Sequence, residues 1–131
     1  MRKFLVVLDD TRESLNAIRY AALRASATGG SVQVLAVIAA DEIQHGMGVA
    51  EVMRAEAQER LEAHFQVFAK WMRDKTALEP ELVIREGEPS AELLAQIGAD
   101  PEIGVVVLGA STETQGPGPL VARLLRDVAS L

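Results

Sequence analysis

Two kinds of hydrophobic pattern alternate along the chain. Short unbroken aliphatic runs, "KFLVVLDD", "SVQVLAVIAA", "ELVIRE" and "IGVVVLG", are rich in valine and isoleucine. Such runs read as strands buried on both faces, as in a parallel sheet. Between them, apolar residues recur every three or four positions. Asp10 and Glu13 stand three apart, as in a capping box with Asp in place of Ser or Thr, and Leu15, Ile18, Ala22 and Ala25 follow at helical spacing. Gly29, in "TGG", ends that helix. Val49, Met53, Ala57, Leu61, Phe65, Phe68 and Met72 recur with charges between them. They predict one amphipathic helix from Val49 to Arg73, roughly 37 Å long at 1.5 Å per residue. Pro89 and Ser90 open a short helix carrying Leu93, Leu94 and Ile97, which Gly98 closes. A last helix carries the stripe Leu120, Val121, Leu124, Leu125, Val128 and Leu131, opposite Arg123, Arg126 and Asp127.

The order βαβαβαβα predicts a parallel sheet covered by helices on both faces. No linker, low-complexity tract or repeat divides it, and residues 1–131 read as a single domain. Ligands of such sheets bind beyond the carboxyl ends of the strands, where the strand order reverses. Those ends are Asp9 and Asp10, Val37 to Ala40, Arg85 to Gly87, and Gly109 onward.

Composition narrows the partners. With 13 basic and 19 acidic residues the formal charge is -6, and no stretch holds five like charges. That balance repels phosphate backbones and anionic lipid, so neither nucleic acid nor a membrane is expected. The absence of cysteine excludes disulfides, Cys-ligated zinc and thiol catalysis, and fits a cytoplasmic setting. The opening "MRKFLVVLDD" is too short an apolar run, closed too early by acids, for a signal peptide or a span.

The strand ends, taken in order, carry a resemblance. "FLVVLDDTRESLNAIRYAALRASATGGSVQVLAVI" resembles the opening of the universal stress protein (UspA) family, with a strand ending in an acid, a helix, a Gly-containing turn and a second aliphatic strand. "REGEPSAELLAQIGADPEIGVVVLGAS" is similar to the family's later half, with Gly-x-Pro before a helix and a strand running into Gly109. The resemblance spans nearly the whole chain. It implies a Rossmann-like, adenine nucleotide alpha hydrolase-like fold whose fifth strand is absent from this chain. It also implies adenosine resting against Leu8, Asp9, Val37, Leu108 and Gly109.

Nucleotide-binding members of that family carry Gly-x-x-Gly, nine residues, then Gly-Ser or Gly-Thr at the last helix. Glycines there let backbone amides close on the phosphates, aided by the helix dipole. Gly109 fits the first position, but Thr112 replaces the second glycine. Gly118 follows after only five residues, with Pro119 in place of the hydroxyl. Pro117 and Pro119 remove two amide donors where an anion would seek them. The expected site is therefore an adenosine pocket with an impaired phosphate grip, in which Ser111, Thr112, Gly116 and Gly118 hold one phosphate. ATP or AMP is the implied ligand, with no metal. The alternative is a degenerate member that binds no nucleotide and works as a dimeric interaction protein.

Other chemistries find less support. A receiver-type magnesium site would build on Asp9 and Asp10, but it needs an aspartate after the third strand, where Arg85 and Glu86 stand. Metal or general-base roles for His45 and His64 would each need convergent partners, and both read as structural or solvated; no serine sits in a Gly-x-Ser-x-Gly elbow. No enzyme is expected, beyond weak nucleotide hydrolysis. Trp71 falls one place off the long helix's apolar stripe, which places it at the border of the core. The valine-rich fourth strand would form a bare sheet edge, so a homodimer is expected to cover it.

Overall fold

The computed structural model describes residues 2–8, 12–39 and 48–108. Along them run β1 (Lys3–Val7), α1 (Arg12–Thr28), β2 (Ser31–Ala39), α2 (Val49–Thr76), β3 (Glu81–Gly87), α3 (Pro89–Ala99) and β4 (Ile103–Val107). The four strands form one sheet in the order β3-β2-β1-β4, and every pairing is parallel. The expected α/β architecture is thus present. The final helix, the Asp10 cap and His45 fall outside the described residues.

Strand alternation sends successive side chains to opposite faces, and each face has its own core. On one face Phe4, Val6, Val32, Val34 and Ala36 meet α1 and α2. The α1 contribution is small: Ala17, Ala21, Ala22 and Ala25 surround Ile18, all at 6% exposure or less. Short side chains let that helix lie close to the strands, while Phe65, Phe68, Ala69 and Met72 of α2 fill the remaining space. On the other face Leu5 and Leu35 pack against Leu93 of α3.

The helix ends show which signals the chain obeys. After α1, Gly29 takes φ 72 and the amide of Gly30 donates to the Ala25 carbonyl at 2.8 Å. This is a Schellman closure, which demands a residue free to adopt positive φ. Gly98, by contrast, lies inside α3 and does not end it. The helix runs to Ala99, and Asp100 stops it in an extended conformation, its amide donating to Gln96 at 3.2 Å. At the other end of α3, Glu88 is the N-cap: its carboxylate accepts from the Ala91 amide at 2.8 Å and from the Ser90 hydroxyl at 2.7 Å.

The long helix α2 has 28 residues, about 42 Å at the standard rise. It extends to Thr76, past the expected Arg73, and the amide of left-handed Ala77 closes it onto the Arg73 carbonyl. Its expected stripe is buried at Ala57, Phe65, Phe68 and Met72, but Val49 is 45% exposed. Trp71 is half-buried against the core, with the Arg19 guanidinium 6.0 Å from its ring centroid.

Candidate functional site at the strand-order reversal

From β1 the chain steps to β2 and then β3 on one side, and returns to place β4 on the other side of β1. The reversal of order therefore falls between β1 and β4. In open α/β sheets the ligand crevice lies at such a reversal, beyond the carboxyl ends of the strands.

Three of the expected site residues lie within the described residues: Leu8, Val37 and Leu108. Leu8 follows β1 and its amide donates to the Leu35 carbonyl at 2.8 Å. Val37 lies two residues further along β2 and pairs with Arg85 of β3. Leu108 follows Val107, which pairs with Val6 of β1. The register thus brings all three near the carboxyl ends of adjacent strands. Their side chains divide between the faces. Val37 and Leu108 pack partly buried beside Leu93, whereas Leu8 is 3% exposed in the core beneath α1 and α2. Leu8 thus turns its side chain into that core, and its amide is bonded to β2. Asp9, Gly109, Ser111, Thr112, Gly116 and Gly118 lie outside the described residues.

The end of β3 is committed to ion pairs. Arg85 donates to Glu92 at 2.8 Å and to Gln96 at 2.9 Å, on the α3 face. Glu86 takes a two-pronged bond from Arg54 of α2, at 2.6 and 2.9 Å. Arg85 and Glu86 thus stand where a receiver-type site would place its aspartate, and both serve to fasten helices to the sheet. His64 lies tilted against Phe68, with ring centroids 5.0 Å apart. Among the described residues no group of three or more His, Asp or Glu could hold a metal ion. A cavity of about 310 Å³ opens along α2, lined by Met53, Glu56, Ala57 and Arg60. Ala57 packs on Ile38, on the β2 side of the sheet and away from the reversal.

Sequence reasoning missed one contact at the crevice. Ser14, 2% exposed in the first turn of α1, donates its hydroxyl to the Val7 carbonyl at 2.9 Å. The signal the sequence offers for it is its place three residues before Ala17, which is buried on the helix's inner face.

A parallel sheet with helices on both faces and its strand order reversing between β1 and β4 places the chain in the Rossmann-like α/β class. Over residues 1–130 it matches the universal stress protein family, and it belongs to that family. Its structure is similar to universal stress protein UspA from Lactobacillus plantarum, at 20% identity and TM-score 0.75, covering 95% of this chain and 90% of that one. It is similar to hypothetical protein MJ0577, at 17% identity and TM-score 0.80, covering 95% and 88%. A third similar structure is a universal stress protein in complex with cAMP, at 15% identity and TM-score 0.62, covering 95% and 90%. At these identities the likeness shows the fold. Comparison with curated proteins finds no match. No helix among the described residues is long and apolar enough to cross a membrane.

Proposed function

We propose that the chain is a small cytoplasmic stress-response module that binds an adenine nucleotide, ATP or AMP, in the crevice between β1 and β4. The observation that supports this reading is the register: Leu8, Val37 and Leu108 lie near the carboxyl ends of the adjacent parallel strands β1, β2 and β4. The cAMP complex of a similar protein supports an adenine ligand for the same fold. The adenosine half rests on the strand ends, and Ser111, Thr112, Gly116 and Gly118 take one phosphate. The protein is a binding module, with no chemistry of its own to perform. It works as a homodimer, because β4 is the outermost strand on its side of the described sheet and an open edge invites pairing.

A second reading, a dimeric interaction protein without a nucleotide, is favoured by the loop: Thr112, Pro117 and Pro119 weaken the phosphate grip. Calorimetric titration with ATP, ADP, AMP, cAMP and adenosine separates the two. The first reading expects heat with AMP and adenosine, with ATP no tighter than AMP. Silence with all five leaves the second.

A further inference from the structure

The β1 side of the crevice is held by a bond that ligand contact alone does not explain. The Leu8 amide points toward β2, since it donates to the Leu35 carbonyl. In an extended strand the polar groups of successive residues point to opposite sides, which directs the Val7 carbonyl toward β4. Val6 pairs with Val107, the last residue of β4, so Val7 lies one residue beyond the paired part of that ladder. The Val7 carbonyl therefore stands at the mouth of the crevice, and the Ser14 hydroxyl grips it at 2.9 Å.

Ser14 stands where an apolar side chain would also pack. It is 2% exposed, on the same inner face as Ala17, Ile18 and Ala21. Alanine would pack there and favours a helix more than serine does. A buried hydroxyl is tolerated because it is hydrogen-bonded, here to a strand seven residues earlier.

We propose that Ser14 is a positioning residue for the ligand. Its grip on Val7 sets how the carboxyl end of β1, Val7 and Leu8, borders the crevice. It also keeps the Val7 carbonyl from competing for the donors of a bound adenine nucleoside. This inference rests on the nucleotide reading of the same site.

The test uses the full chain, as wild type, Ser14→Ala and Ser14→Thr, with AMP and adenosine titrations and hydrogen exchange at the Leu8 amide. Ser14→Ala is expected to keep the exchange protection of β2, to exchange faster at Leu8, and to bind AMP about tenfold more weakly. Ser14→Thr restores the hydroxyl and with it both properties. A Ser14→Ala protein that melts earlier yet binds AMP as tightly as wild type overturns the proposal, since the bond would then serve stability only. If wild type binds neither ligand, the nucleotide reading falls first. Exchange then decides whether Ser14 holds the strand end: unchanged protection at Leu8 overturns that, and faster exchange supports it.

Discussion

At Gly87 the chain leaves β3 for α3 with φ 149, a backbone that side chains rarely adopt. A Cβ there would stand 2.7 Å from Glu92 Oε2, and Glu92 is held in place by Arg85. Gly87→Ala is therefore expected to cost about 2 kcal/mol, through backbone strain and a displaced ion pair. A lower melting temperature, with the loss absent from Glu92→Gln combined with Gly87→Ala only so far as the ion pair contributes, checks it. The Gly-x-Pro motif made this position visible in sequence. Glu88 as a cap and the buried bond from Gln96 to Gln33 at 3.1 Å were not visible. Such bonds join residues far apart in the chain, and a polar residue carries no periodic signal for a partner 63 positions away.

Between elements, a polar seam ties the start of β1 to the turn that leads into β4. The Lys3 ammonium lies 2.6 Å from Asp100 Oδ2, and these side chains are 13% and 19% exposed. Asp100 also accepts from the Glu102 amide at 3.0 Å and from Gln33 at 3.4 Å. The hydrogen bond from Lys3 is the main reason that the Asp100 carboxyl titrates below its ordinary 3.8, and the same bond raises Lys3 above 10.5. The lowered acid stabilises the fold at pH values above 3.8, and that contribution fades as pH falls through the folded value. The raised lysine stabilises it below pH 10.5 and loses that effect as pH rises through its own folded value. Denaturant melts across pH are expected to show wild type ahead of Asp100→Asn at neutral pH, with the gap closing below about pH 3.8. The elements themselves were legible because continuous aliphatic runs and three-to-four spacing mark strands and helices. Their ends were less so: Gly98 reads as a stop, yet Asp100 does the stopping, because glycine ends a helix only where the backbone turns left-handed.

For the molecule as a whole, the order β3-β2-β1-β4 leaves β4 outermost on its side of the described sheet. The proposed homodimer is expected to stay associated through a micromolar dilution series in sedimentation velocity. A persistent monomer at those concentrations would count against it. The parallel sheet was legible from the succession of strands and helices, since a helix between two strands returns the chain to run the next strand the same way. How side chains divide at that rim was not, because the face to which Leu8 turns depends on sheet register and helix packing. The capped start of α3 bears on that rim as well. Glu88 already fills the place at its helix tip that an incoming anion would seek, and repels any second negative group there. The tip is a berth already taken, so the phosphate of the proposed nucleotide would have to settle elsewhere, and a side chain the ligand never touches would help set the direction in which it lies.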